Sequence, residues 1–276
     1  MQPTELVPTR NQESGHRFID THCHLDDGAF ADDLDDVLDQ SRAAGVTAWI
    51  NVGYSPTRWR STIQLASEHD GVALMLGLHP SEAELWAPEL CRELLDLLKQ
   101  TGARAVGETG IDLFRGETNL DRQKVVFEMQ LAIAVELGLP AVIHMRAAES
   151  QVLDTLAGMS ILPPLLFHSF DGGPALVEFI LGTGSMIGIG GLVTRARQAR
   201  LRDQLLRVPA TQMVLETDSP YLMPSKLRGR RNSPGNVPLI ASVLADLIET
   251  DVHYIAQITT QNAERFFGAL EEAAGP

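Results

Sequence analysis

The feature that most narrows the folds open to this chain is a rhythm. An apolar, β-favouring run is followed by a polar break and then an amphipathic helical segment, and the cycle repeats along the sequence. The first strand candidate is Phe18-Ile19-Asp20-Thr21-His22-Cys23-His24-Leu25, broken by Asp26-Asp27-Gly28. Seven more follow: Val46 to Gly53, Val72 to His79, Ala103 to Gly107, Pro140 to His144, Leu165 to His168, Ser185 to Gly190 and Gln212 to Glu216. Helical periodicity fills the gaps, at Leu34 to Ala44, Thr57 to Glu68, Glu89 to Gln100, Asp121 to Leu137, Glu149 to Leu156, Pro174 to Leu181 and Ala199 to Leu206. Two further helical regions, Val237 to Leu247 and Val252 to Leu270, come after the eighth strand. Gly45 after the first helix and Gly138-Leu139-Pro140 after the fourth are helix stop signals.

Strands alternating with helices imply right-handed βαβ units and a parallel sheet. About 250 residues of such units is the usual size of a closed (β/α)₈ TIM barrel. The competing open, doubly wound sheet lacks its Gly-x-Gly-x-x-Gly signature after the first strand. The expected fold class is therefore α/β, one TIM-barrel domain over residues 18–270 preceded by a flexible arm, 1–17. The arm is polar and lacks an apolar core segment, so it is not a secretory signal. No apolar run approaches the ~18 residues needed to span a bilayer. Two cysteines, Cys23 and Cys91, suit a reducing cytoplasm better than a disulfide framework.

Five of the eight histidines fall at the C-terminal ends of expected strands: His22, His24, His79, His144 and His168. In a barrel those ends converge on one rim, where active sites are built. On a strand, positions i and i+2 share a face, so His22 and His24 can grip one cation while Cys23 turns away. Alone, such a pair is more often coincidence or two buried, hydrogen-bonded histidines than a metal site. Glu108 ends the fourth expected strand and Asp218 follows the eighth; each has an ordinary alternative as a helix cap or loop ion pair. Together the six exceed what one tetrahedral ion needs, and two ions about 3.5–4 Å apart with one bridging carboxylate would use them all. Glu108 is the expected bridge, with His22, His24 and Asp218 on one ion and His144 and His168 on the other. Two divalent ions are expected, magnesium in use, with manganese or zinc as alternatives.

The formal charge of −14 argues against broad, charge-driven binding of a polyanion. One basic run stands out, Lys226-Leu227-Arg228-Gly229-Arg230-Arg231-Asn232, in the loop after Asp218. Such a run is either a solvated face or a contact for a sugar-phosphate backbone.

These motifs resemble the TatD family of metal-dependent deoxyribonucleases, a branch of the barrel metallohydrolases. The resemblance runs from Phe18 to Gly268 and includes Asp20-Thr21-His22-Cys23-His24-Leu25, Gly77-Leu78-His79-Pro80, Gly107-Glu108-Thr109-Gly110-Ile111-Asp112, Ile143-His144-Met145-Arg146, His168-Ser169-Phe170, Glu216-Thr217-Asp218-Ser219-Pro220-Tyr221-Leu222 and Asn262-Ala263-Glu264-Arg265-Phe266-Phe267. It implies a phosphodiester hydrolase, often trimming DNA from a 3′ end, with His22, His24, Glu108, His144, His168 and Asp218 as ligands. The chain departs from the family at Ser233 (usually Glu), at Val193-Thr194-Arg195-Ala196 and at Asp171-Gly172-Gly173, all where the resemblance implies substrate contact.

The expected enzyme is a 3′–5′ exonuclease on single-stranded DNA, or RNA, acting as a monomer or weak oligomer away from membranes. Glu108 and Asp218 are expected to be catalytic, Asp218 also accepting the proton of the attacking water. Glu216 is expected to orient its neighbours. His79, Arg146, Arg228, Arg230, Arg231 and Asn232 are the substrate-binding candidates, with Arg146 either forking onto a phosphate or pairing with Glu149. Tyr221 and Phe170 are candidates for base stacking or for the core. The rivals are a small-molecule hydrolase of the same superfamily, an aminoacyl-tRNA ester hydrolase and a non-catalytic nucleic-acid binder. Bridging by a carbamylated lysine is disfavoured, since none of Lys99, Lys124 and Lys226 ends an expected strand.

Overall fold

A computed structural model of the chain describes residues 15–114, 119–195, 199–225, 227, 229 and 231–270. Most of the expected arm, together with Lys226, Arg228 and Arg230, lies outside the described residues. Eight parallel strands follow in chain order: β1 (Phe18–Cys23), β2 (Val46–Gly53), β3 (Val72–Leu76), β4 (Val106–Asp112), β5 (Ala141–Arg146), β6 (Leu165–Phe167), β7 (Met186–Ile189) and β8 (Met213–Leu215). The helices between them are α1 (Leu34–Ala43), α2 (Pro56–Glu68), α3 (Pro88–Gln100), α4 (Leu120–Leu137), α5 (Glu149–Gly158), α6 (Pro174–Thr183) and α7 (Ala199–Leu205), with α8 (Val237–Leu247) and α9 (Val252–Phe267) at the end. Each strand pairs with the next, and a bridge between Cys23 and Ser219 closes the ring. The expected TIM barrel is the observed fold. No helix among the described residues is long and apolar enough to cross a membrane.

The strands bury both faces, as a parallel barrel requires. One set of side chains, including Ile19, Ile50, Met75, Val142, Leu166 and Val214, fills the inside. Their neighbours in sequence face the helices in a second, larger cluster. The last turns of α9 bring Ala263 and Phe267, with Leu270 beyond, onto the inner cluster and cover its lower end. Asn262 fastens them there by donating to the carbonyls of Ala210 and Met213. Arg17 pairs with Glu264 at 2.6 Å, so the end of the expected arm is anchored to α9.

Several strand ends shift from expectation, β1 stopping at Cys23 and β5 running on to Arg146, and the largest shifts are in β3 and β4. β3 stops at Leu76, which leaves His79 in the following turn, its Nδ1 accepting from the Ser81 backbone N–H. β4 begins later than expected and runs on through Glu108 to Asp112. In the sequence, the apolar run ends at Gly107, with Glu108 closing the expected strand. In the barrel, Gly107 and Gly110 serve close strand contact. A Cβ on Gly107 would lie 2.9 Å from Val142 atoms, and one on Gly110 only 1.9 Å from the His144 carbonyl oxygen. Gly110 also holds φ at +147°, open only to glycine at low cost. Gly110→Ala should therefore cost about 3 kcal/mol or more. Chemical denaturation of the metal-free protein checks this, with insoluble expression as the extreme outcome.

Candidate metal centre

The strand ends bring all six expected side chains into one mouth. His22 and His24 project together from the end of β1, ring centroids 5.3 Å apart, while Cys23 packs outward into the helix-facing core. Asp218 reaches them from beyond β8: its Oδ1 lies 3.2 Å from His24 Nε2 and 3.8 Å from His22 Nε2. Asp218 adopts a left-handed backbone, φ +56°, a conformation that aspartate tolerates better than most residues.

Glu108 stands between the two halves. Its Oε1 lies 2.6 Å from His144 Nδ1 and 2.7 Å from His168 Nε2, and its Oε2 lies 3.6 Å from His22 Nε2. Those two imidazole nitrogens are themselves 3.2 Å apart, and the His22 and His168 rings stack at 4.0 Å. Donor atoms of His22, His24 and Asp218 fall within 4.8 Å of one another, as do those of Glu108, His144 and His168. Ligands held about 2.1 Å from one ion need separations of roughly this size. Among the described residues, buried nitrogens of His22 (both), His24 (Nδ1) and His168 (Nδ1) have no hydrogen-bond partner. Leaving each so costs about 1–3 kcal/mol. The donor set thus fits a cation.

Charge in this mouth is strongly redistributed. Burial pushes Glu108 up, but His168 and His144 overcome it and hold its carboxyl well below the usual range. Burial likewise opposes protonation of His168, yet the Glu108 charge and hydrogen bond lift it to about 9. His24 and His144 are raised too, against burial, by Asp218 and by Glu108 respectively. His22 goes the other way, to about 4, because burial and the His168 charge outweigh its acidic neighbours.

The support lies mostly in the seam between β1 and β8. Asp20, fully buried, accepts the Thr217 hydroxyl at 2.5 Å and the backbone N–H groups of Thr217 and His22. Burial raises its carboxyl to about 7. Glu216 is also fully buried, accepts the Ser169 N–H at 2.5 Å and lies 3.8 Å from His168 Nδ1. Burial lifts it to about 8, although His168 pulls the other way.

The substrate-binding candidates divide. His79 lies above the centre, its ring 4.3 Å from that of His144 and its Nε2 3.9 Å from Glu108 Oε1; burial and His144 lower it to about 3. Arg146 is exposed, with its guanidinium 3.7 Å from the ring centre of Phe114. Glu149, its expected alternative partner, instead accepts the Gly173 and Leu176 N–H groups at the start of α6. Arg231 makes two 2.7 Å bonds to Asp33 and lies over Phe30. Asn232 is fully buried, its amide donating to the Thr217 carbonyl, so it offers no surface for substrate. Phe170 is core, whereas Tyr221 is 48% exposed, its hydroxyl donating to Asp27. Tyr221 and Tyr54 flank His24, with centroids 5.6 and 5.4 Å from its ring.

Asp112, Asp20 and Tyr54 were not singled out in the sequence. Asp112 Oδ2 lies 3.0 Å from His144 Nε2. The signal for it was present: it stands four positions after Glu108, an even spacing that shares a strand face once β4 is read to its end.

Fold and site together define a class, the barrel hydrolases whose centre is built from imidazoles and carboxylates at the strand ends. The model of the TatD related DNase family matches residues 19–268, and the chain belongs to that family. A 3′-5′ ssDNA/RNA exonuclease TatD from Edwardsiella piscicida is 33% identical over 256 residues, covering 90% of this chain and 98% of the relative. The metal-dependent hydrolase YabD of Bacillus subtilis, whose function is uncharacterized, is 30% identical across 90% of this chain and 98% of its own length. The crystal structure of YjjV, a TatD homologue from Escherichia coli K12, superposes with a TM-score of 0.86 at 30% identity, covering 92% and 98% of the two chains.

The pKa pattern gives a sign to the pH dependence of metal binding. At pH 7 His168 carries a proton that a cation must displace, and the raised His24 and His144 act in the same direction. Affinity should therefore climb from pH 6 towards 9 and level off above. Titration calorimetry at pH 7, in buffers of differing ionisation enthalpy, should show net proton release.

Proposed function

We propose that this chain is a two-metal 3′–5′ exonuclease acting on single-stranded DNA or RNA. The observation that carries this is the division of Glu108, one oxygen towards His144 and His168 and the other towards His22. A bridging carboxylate between two ions has that disposition. His22, His24 and Asp218 would hold one ion and His144 and His168 the other, with magnesium, manganese or zinc as the metal. Such a pair, when bound, lowers the pKa of water and offsets charge on phosphoryl oxygens.

The chain's own residues supply the remainder. Asp218, kept ionised by His24 against the effect of burial, accepts the proton of the attacking water. Arg146 on the Phe114 ring offers a planar cation to a phosphate at the rim. Tyr54 and Tyr221 flank His24 and provide aromatic faces for the terminal base. Arg228 and Arg230, in the basic run after Asp218, are the cations assigned to the sugar-phosphate backbone. The name of the Edwardsiella relative supports the polarity and the single-stranded substrate. We place the reaction in the cytoplasm, where the free thiols Cys23 and Cys91 stay reduced, and read residues 18–270 as one catalytic unit working as a monomer or weak oligomer.

The test uses chelator-stripped protein, 5′-labelled single- and double-stranded DNA and RNA, and each metal added back. The expected result is stepwise shortening from the 3′ end of single strands, only with added metal. Glu108→Ala should lower the rate roughly a thousandfold, the upper scale for losing one charge-stabilising group, with its melting profile checked in parallel. No shortening of any nucleic acid with any of the three metals would overturn the proposal.

A further inference from the structure

His144 is held from both sides. Its Nδ1 lies 2.6 Å from Glu108 Oε1 and 3.2 Å from His168 Nε2, while its Nε2 lies 3.0 Å from Asp112 Oδ2. A neutral imidazole that offers its lone pair at Nδ1 carries its proton at Nε2. Asp112 is placed to accept that proton's hydrogen bond. Carboxylates in this position fix a ligand's tautomer and ring orientation and raise its basicity.

Asp112 has further attachments. Its Oδ1 accepts the Phe114 N–H at 2.8 Å. Its backbone N–H and carbonyl both bond the Gln123 amide on α4, at 2.8 and 3.2 Å. Across the strand pair it stands opposite Arg146, and Gly110 stands opposite His144. The single carboxylate therefore touches the imidazole through one oxygen and, through the other, the residue that carries the Arg146 guanidinium.

We propose that Asp112 is a positioning residue: it orients His144 towards Glu108 and His168, and ties that orientation to the Phe114–Arg146 pair at the rim. This rests on the metal centre proposed above. The alternative use of the same atoms is a third cation among His79, Asp112 and His144, whose donors also fall within 4.8 Å. It would need His144 to bind cations through both nitrogens and so to become an imidazolate. The hydrogen bond asks for no such deprotonation, and His79, whose Nδ1 accepts the Ser81 N–H, would have to give up its Nε2 proton as well.

The test measures metal directly. Wild-type protein, Asp112→Ala, Asp112→Asn and Asp112→Glu are stripped of metal. Each is titrated with Zn²⁺ against a chromophoric chelator, then loaded with Co²⁺ for its visible spectrum. Wild type should take two ions. Asp112→Ala should bind one of the two about 10- to 100-fold more weakly and shift the Co²⁺ bands, with Asp112→Glu recovering part of both. Should Asp112→Ala fail to fold, the isosteric Asp112→Asn takes its place, with the same direction of change. Unchanged affinity and spectrum would overturn the inference, as would three ions in wild type falling to two in Asp112→Ala. Wild type that binds no metal would overturn both this inference and the proposed centre. Nucleic-acid cleavage is scored separately: loss of metal affinity in Asp112→Ala, with a wild type that cuts nothing, supports the positioning role and rejects the nuclease.

Discussion

The structure turns on one carboxylate buried among imidazoles. Glu108 is almost sealed from solvent, and a lone carboxylate in such a place would take up a proton. It stays ionised because His168 and His144 crowd its first oxygen; His22 faces its second. Those partners come from three different strands, so the charge balance exists only when the barrel is assembled. The same residues that make the mouth chemically competent are expensive to bury singly and tolerable only together.

That dependence explains where the scaffold is strongest. The ring closes between its first and last strands, and there Asp20, Thr217 and Asn232 form a buried hydrogen-bonded seam. Two of the six central side chains, His22 and Asp218, are joined directly across it by the Asp218 N–H and the His22 carbonyl at 2.8 Å. The feature that completes the fold thereby also sets the spacing of the site. In an open sheet, β1 and β8 would be edges, and the two ligand sets would have no common mouth.

The barrel and the six clustered side chains were legible because both follow from periodicity. A repeated strand-helix cycle fixes which ends of the strands meet, and histidines at those ends must then converge. Less local features were not legible. Glu108 was expected at a strand's end, whereas close packing at Gly107 and Gly110 lets β4 continue past it to Asp112. Arg231 read as a cation free for phosphate, because nothing local in the sequence reveals that Asp33, some two hundred positions earlier, lies within reach. Asn232 read as a substrate contact, and Phe170 could be either a stacking face or core, for the same reason: burial is decided by what the rest of the chain lays over them. Contacts made across the barrel are set by closure, and closure is not written in any single window.

The end of the barrel opposite the mouth is stoppered by the tail of α9, where Phe267 and Leu270 meet the inner core. Side chains fill the barrel below the six clustered residues, so whatever meets that cluster meets it from the rim. There Tyr54 and Tyr221 stand beside His24 and Phe114 lies against Arg146, so the approach is framed by aromatic faces rather than by apolar depth.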